Sequence, residues 1–255
     1  MIITFSFNNK HYQADLQDGI DISIPLKDGV ENPNCYYAEA PSFEVIRAGS
    51  FIGSVKEGGM VNHRKITFTP HGNGTHTECY GHIDADETAT LNKSLKNSHA
   101  LAVVISLKPV VLANGDCLIT LDSYKEKLKH EDVVPAIVIR SLPNDTHKQT
   151  RQYSGTNPPY IDAPLAAYLA QKGVEHLLID LPSVDKEVDE GKLAAHKAFW
   201  KAGDDSRKHC TITEMVYVPN HVQDGLYFLN LQTAPFENDA SPSRPVLYKV
   251  REFLP

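Results

Sequence analysis

Apolar and polar positions alternate over the first stretch of the chain. Ile3, Phe5 and Phe7 are interleaved with Thr4 and Ser6, and Tyr12, Ala14 and Leu16 with Gln13 and Asp15. A period of two places the two sets on opposite faces of a strand, so Ile2–Phe7 and residues 11–16 are predicted strands. Asn8, Asn9 and Lys10 between them supply a hairpin turn. Residues 21–24 alternate again and stop at Pro25. Residues 42–46, 51–55 and 64–69 are further predicted strands, the last two separated by Gly58 and Gly59. The third of these runs through Pro70 into a histidine-rich loop.

Beyond residue 100 both periods occur. Residues 101–107 and 133–139 are largely apolar and rich in β-branched residues, the pattern of strands covered on both faces. Residues 123–130 read as a helix with Asp122 as N-cap. Residues 141–159 are polar and rich in Asn, Thr and Pro, which predicts a long surface loop near a site. A helix starts at Asp162, with Pro164 in its first turn and Gly173 at its end. Residues 174–180 follow as a strand, 192–202 as a short helix, and 211–218, 226–231 and 246–250 as late strands. Neither a repeat nor a linker interrupts the pattern. The prediction is one strand-rich α/β domain over residues 1–255.

Composition removes several function classes. A chain of 255 residues buries roughly 70–75% of its unfolded surface, so neither disulfides nor a structural metal are needed for folding. The charge balance of 25 basic against 32 acidic residues gives −7, which disfavours nucleic acid and anionic membranes as partners. No apolar run approaches the length that spans a bilayer, and the N-terminus reads as a strand rather than as a secretory signal. Cys35, Cys79, Cys117 and Cys210 form no CxxC pair, so reduced thiols in a cytoplasmic enzyme are expected instead of a disulfide framework or zinc finger.

Chemistry concentrates between His71 and His82, which hold three of the twelve histidines. His76 and Glu78 are two apart, and in an extended segment both side chains face the same way. Gly72, Gly74 and Gly81 permit the close backbone approach that a compact ligand cage requires. Imidazole nitrogens with carboxylate oxygens suit zinc, manganese or iron. The bland alternative is a polar, glycine-rich turn with incidental histidines.

The segment Gly72-Asn-Gly-Thr-His-Thr-Glu-Cys-Tyr-Gly-His82 resembles the H-x-G-T-H-x-D-x-P-x-H signature of the cyclase family of metal-dependent hydrolases. That family includes bacterial kynurenine formamidases and isatin hydrolases. Asp21-Ile-Ser-Ile-Pro25 is similar to its N-terminal "DLS-P" strand, and Val138-Ile-Arg-Ser141 to its "LIRT" strand. Leu178-Ile-Asp-Leu-Pro-Ser-Val-Asp185 is similar to "GIDTPSID", and Ser241-Pro-Ser-Arg-Pro245 to "GSPVRP". The matches run in family order from about residue 21 to 248.

The resemblance implies a swivelling β/β/α fold and a site assembled from distant segments. It implies His76 and Glu78 as metal ligands, Glu78 standing where the family has an aspartate bridging two metals. His196 and Glu214 are the downstream ligands it implies, and His82 the proton donor and acceptor. The signature's first histidine falls on Gly72, so the nearest candidate is His71, one position early. The signature proline is Tyr80. Tyr36 and Tyr37 lie near a substrate contact of some family members. Asp180 and Asp185, at a strand end where α/β proteins often bind ligands, are further substrate-binding candidates, with turn and capping chemistry as the alternative. For His196 the alternative is core packing with Leu193, Phe199 and Trp200. Cys79 is expected to be a small buried thiol.

The expected activity is hydrolysis of a C–N bond in a small amide, formamide or cyclic amide by metal-activated water, with one or two divalent ions per chain, zinc ahead of manganese. A dehydratase or lactone hydrolase using the same water, or a non-catalytic metal- or ligand-binding homologue, are the rivals. Family members commonly form dimers or tetramers, so the resemblance also implies a homodimer or homotetramer acting on a small-molecule substrate.

Overall fold

The computed structural model describes residues 1–128 and 134–253. Nine strands form the principal sheet: β1 Ile2–Phe7, β2 Lys10–Asp21, β3 His76–Glu78, β4 His99–Leu107, β5 Ala136–Ser141, β6 His176–Ile179, β7 Thr211–Glu214, β8 Gly225–Thr233 and β9 Ala240–Phe253. Their order is β1-β2-β9-β8-β4-β5-β6-β7-β3, and β3 also pairs with β9. That second pairing, Ala240 with Glu78 through Pro242 with His76, closes seven of the strands into a barrel. The strand-rich α/β organisation expected from the sequence is therefore present.

The middle of the barrel is parallel. β4, β5, β6 and β7 run the same way, and helices α1 Leu121–Lys127, α2 Ala163–Gln171 and α3 Ala194–Trp200 make the crossovers. Parallel neighbours require such crossovers, and the helices cover one face of the sheet. In β5, Ile137 and Ile139 face the helices with Leu165, Leu169, Phe199 and Trp200. Ala136 and Val138 join Ala102, Val104, Leu178, Leu229 and Leu247 in a second core. A strand buried on both faces reads as an apolar run, which is why residues 133–139 carried no alternation.

Boundaries moved where a local hydrogen bond outweighed the pattern. β1 and the Asn8–Asn9 turn lie as predicted, but β2 continues past residue 16 to Asp21. Residues 22–24 leave the ladder because the Asp21 carboxylate accepts both the Ser23 N–H (2.9 Å) and its hydroxyl (2.6 Å). The strand predicted at 51–55 shrinks to Phe51–Ile52 and gives way to a single turn ended by Gly58 at φ 88°. α1 is capped by Thr120 rather than Asp122, with Ser123 completing a capping box. Lys129, His130 and Val133, at the ends of two predicted elements, lie outside the described residues. Asp162 caps α2 by accepting the Leu165 N–H (2.8 Å), and Gly173 follows the helix at φ 81°. β8 and β9 extend beyond their predicted limits.

The predicted loop at 141–159 lies against the barrel instead of simply on the surface. It contains a cis Leu142–Pro143 peptide and a turn at Thr146–Gln149, and it buries Lys148 and Tyr153. Among the described residues, no helix is long and apolar enough to cross a membrane.

Candidate metal centre

Strand register builds the floor of the site. β3 pairs with β7 so that Glu78 opposes Ile212, Thr77 opposes Thr213 and His76 opposes Glu214. Alternation sends Thr77 and Thr213 to one face, where their hydroxyls meet at 2.8 Å. His76, Glu78 and Glu214 are left together on the other face, towards His196 on α3. β7 ends at Glu214 because Met215 adopts φ 53°, so the predicted strand 211–218 breaks there. That left-handed turn is held by a Met215 N–H bond to the Leu181 carbonyl (3.0 Å) and by the Thr75 hydroxyl on the Met215 carbonyl. A non-glycine residue there costs roughly 1–3 kcal/mol, which the surrounding bonds must offset.

Two turns supply the rim. His71 sits in the helical turn Pro70–Asn73, fixed by Asn73, whose side chain accepts the Thr69 N–H (2.7 Å) and donates to the Glu39 carbonyl (2.9 Å). His82 sits in the turn Tyr80–Ile83. A Cβ on Gly72 would lie 2.3 Å from the Ala38 Cβ, so position 72 has no room for an imidazole. The ring comes instead from His71, one residue earlier on the same turn. A Cβ on Gly81 would lie 1.8 Å from the Ala89 carbonyl oxygen, which fixes glycine there.

The structure brings all five expected ligand side chains and His82 together. Glu78 is central: Oε1 is 3.0 Å from His196 Nε2, and Oε2 is 3.3 Å from His71 Nδ1 and 3.8 Å from His82 Nε2. His76 Nε2 lies 3.4 Å from Glu214 Oε2. His76, Glu78, His196 and Glu214 are buried, whereas the side chains of His71 and His82 keep 24% and 30% exposure. The floor is therefore dry and the rim is open to a solute.

Electrostatics mark the cluster as short of positive charge. Burial pushes the Glu78 carboxyl upward, yet the His82 and His196 imidazoles overcome it and hold its pKa well below the usual carboxylate range. Burial likewise lowers His196 and His71, but Glu78 and Asp185 around the first and Asp239 and Glu78 around the second raise both to about 10. Protons on these rings stand in for a cation the carboxylates would attract. The His76 Nδ1 faces the Gly74 carbonyl (2.9 Å), which aims Nε2 into the cluster. There His76 Nε2 and Glu78 Oε2 are buried without a hydrogen-bond partner. Unpartnered buried polar atoms are rare and call for an explanation. Imidazole and carboxylate donors suit a divalent metal, and His71–His76–Glu78 and Glu78–His82–His196 each bring three ligand atoms within 4.8 Å. The residues fit such an ion.

The expected substrate contacts divide. The Asp185 carboxylate is taken up by His196 Nδ1 (2.6 Å) and by the N–H groups of Ala195 (2.7 Å) and His196 (3.1 Å), the capping chemistry that was the alternative to a substrate contact. It caps α3 and orients the His196 ring. Asp180 is a correction, since it is buried against Lys148 Nζ (2.7 Å) and the Ser141 N–H (2.9 Å), outside the cluster. Tyr37 is exposed, with its hydroxyl against Gly155. Tyr36 takes φ 54° and is 46% exposed as a residue, while its hydroxyl lies near Ser183, where desolvation and the Glu214 charge raise its pKa. Cys79 is a buried thiol whose sulfur donates to the Ala89 carbonyl (3.5 Å).

One site residue escaped the sequence reading. Asp239, immediately before β9, places Oδ2 at 2.8 Å from His71 Nε2 and 3.1 Å from His82 Nδ1. It precedes the segment at 241–245 whose likeness to "GSPVRP" was the available signal, but nothing in Glu237-Asn238-Asp239 sets one acid apart.

Comparison with known proteins accords with this geometry. Residues 20–186 match the model of the family described as "Putative cyclase". The kynurenine formamidase of Bacillus cereus is 29% identical over 230 residues, covering 89% of this chain and 96% of that protein. A structure described as a potential metal-dependent hydrolase with cyclase activity superposes with a TM-score of 0.62 at 18% identity, over 91% of this chain and 98% of its own. Isatin hydrolase A from Labrenzia aggregata, bound to benzyl benzoate, gives 0.63 at 13% identity over 90% and 93%. At such identities the two structures establish a shared fold.

Proposed function

Because the chain belongs to the cyclase family, we propose that it is an amide hydrolase acting at the cluster around Glu78. The substrate class is a small amide, with an aryl formamide first and a cyclic amide second. Kinship with a kynurenine formamidase supports the formamide. The observation that carries the reading is the pair of buried ligand atoms without a hydrogen-bond partner, His76 Nε2 and Glu78 Oε2.

His76, Glu78, His196 and Glu214 would hold a divalent ion, with His71 as the ligand from the rim. Zinc is the first expectation and manganese the second. Glu78 takes part in two three-residue groups, so it is the carboxylate that would be shared if two ions bind. A bound ion of this kind lowers the pKa of water from about 15.7 towards 7 and polarises a carbonyl.

The chain's own residues do the rest. Asp185 locks the His196 ring by taking its Nδ1–H, which leaves Nε2 towards Glu78. Glu214 is fixed by the Val184 N–H on Oε1 (2.9 Å), which leaves Oε2 towards His76. His82, half on the rim, is the acid and base. It accepts a proton from water as oxygen bonds the carbonyl carbon, and gives one to the departing nitrogen. Histidine suits both transfers because its ordinary pKa lies near neutrality. The Tyr36 hydroxyl, beside Ser183, is the proposed substrate contact.

Elemental analysis of protein purified without added metal, with stoichiometry per chain, tests the site. A panel of N-formylanilines, cyclic amides and lactones tests the reaction. Stoichiometric zinc or manganese with amide turnover is expected. A lactone-only profile would move the activity to the ester relative, and a metal-loaded but inert chain would make it a binding protein.

A further inference from the structure

We infer that Asp239 is a positioning residue that sets the tautomer of His82 and, through the same oxygen, the ring of His71. The inference deepens the hydrolase reading and rests on it for its kinetic consequences. Asp239 Oδ2 meets His82 Nδ1 at 3.1 Å and His71 Nε2 at 2.8 Å, while each ring turns its other nitrogen towards Glu78 Oε2, at 3.8 Å from His82 Nε2 and 3.3 Å from His71 Nδ1. The two rings lie with centroids 4.3 Å apart, so one carboxylate aligns both.

A carboxylate accepts hydrogen bonds and donates none. Asp239 therefore accepts the Nδ1–H of His82, which leaves the His82 Nε2 lone pair free, and the Nε2–H of His71, whose Nδ1 is turned to the Glu78 carboxylate. The free lone pair is the one an acid–base catalyst needs, and the contact with His71 keeps that ring's Nδ1 aimed into the cluster. Asp239 is anchored by its own backbone: its carbonyl accepts the Cys79 N–H (2.9 Å), beside the β9–β3 pairing. The chain thus ties the orientation of His82 to the strand that carries Glu78.

The balance of the reaction shows what the tautomer does. Water's oxygen bonds the carbonyl carbon, and its proton passes to His82 Nε2. The C–N bond breaks with its electron pair on nitrogen, and the same proton moves from Nε2 to that nitrogen, leaving a carboxylic acid and an amine. With the proton already on Nε2, His82 can accept nothing from water. Acceptance from water precedes departure of any amine, so a misplaced tautomer costs the same for good and poor leaving groups.

Two measurements on Asp239→Asn test this. In ¹⁵N-labelled metal-free protein, with His82→Gln used to assign the signals, wild-type His82 is expected to carry its proton on Nδ1. The asparagine amide, which can donate to Nδ1, should move it towards Nε2. An unchanged tautomer overturns the inference whatever the activity. In the kinetic arm, kcat for N-formyl-4-methoxyaniline and for N-formyl-4-nitroaniline should fall alike, about 100-fold, within the range of general acid–base contributions. KM should change little, and Asp239→Glu should recover part of the loss in kcat. A loss carried by KM, or one that Asp239→Glu does not recover, would make Asp239 merely structural. Wild-type protein that cleaves neither anilide would sink the hydrolase reading, while the tautomer spectrum still decides what Asp239 holds.

Discussion

Two buried ionic clusters stand at the ends of neighbouring strands, and they differ in one respect. Beyond β6, Lys148 Nζ donates to Asp180 Oδ2 (2.7 Å), the Ser141 carbonyl (2.6 Å), the Ser141 hydroxyl (2.9 Å) and Asn144 Oδ1 (3.2 Å). Asp180 in turn accepts the Ser141 N–H. Burial raises the Asp180 pKa, opposed by the Lys148 ammonium beside it. This cluster carries its own cation and satisfies itself. At β3 and β7 the acids outnumber the fixed cations, imidazoles are driven to hold protons, and two ligand atoms have no partner. A buried carboxylate needs a positive partner. Where the chain provides it as lysine the cluster is architecture, and where it does not, the cluster is the one proposed to take an ion.

The strongest way to break this contrast is to neutralise Glu78. Glu78→Gln removes the oxygen charge shared by two of the three candidate groups, the third being His71–His82–Asp239. Metal content is expected to fall below one ion per chain, and kcat/KM to fall by at least about 10⁴-fold, the scale seen when a member of a catalytic unit is lost. Full occupancy measured by elemental analysis would show that the ion sits elsewhere.

His82→Ala separates binding from chemistry within the same cluster. The floor ligands are untouched, so metal should remain while kcat falls about 10³-fold, the middle of the range for a general acid–base group. Unchanged turnover would remove His82 from the reaction.

The self-satisfied cluster makes the opposite prediction. Lys148→Met leaves the Asp180 carboxylate buried without its cation, and unfolding free energy should drop by about 3–5 kcal/mol. Metal per folded chain should stay constant. Replacing both partners, Lys148→Met with Asp180→Leu, should recover much of the stability, as apolar substitutes for buried pairs commonly do. Loss of metal in the single variant, read alongside denaturation curves, would show that the two clusters are not independent.

How much of this was legible in the sequence follows from distance along the chain. Within 71–82 the spacing of His76 and Glu78 fixed their common face, because strand parity is local. The caps of α2 were legible for the same reason: Asp162, Pro164 and Gly173 act within their own turn. The fates of Asp180 and Asp185 were not legible. Both sit in one short segment after β6, and which meets Lys148 and which meets His196 depends on a loop and a helix that fold back from different directions. Asp239 lies 168 residues from His71, and its place depends on β9 pairing with both β2 and β3, which no local pattern encodes. His71 was one position out of register with the signature, and only the contact between position 72 and Ala38 explains why.

Asp185→Asn is the smallest and sharpest of these tests, because Asp185 was expected to touch substrate and its carboxylate is bonded to His196. Its oxygens receive the Ala195 and His196 N–H groups at the start of α3, and Oδ2 also receives His196 Nδ1. An asparagine keeps an acceptor for the helix but weakens the charge that fixes the imidazole. Metal affinity should fall about 10–100-fold, as for other residues that orient a ligand histidine, while KM measured at saturating metal stays near the wild-type value. A rise in KM at saturating metal with affinity intact would return Asp185 to the substrate and make His196 a ligand that needs no support. The expected pattern would instead mean that both aspartates flanking Leu-Pro-Ser-Val serve cations, one supplied by the chain and one drawn from solution.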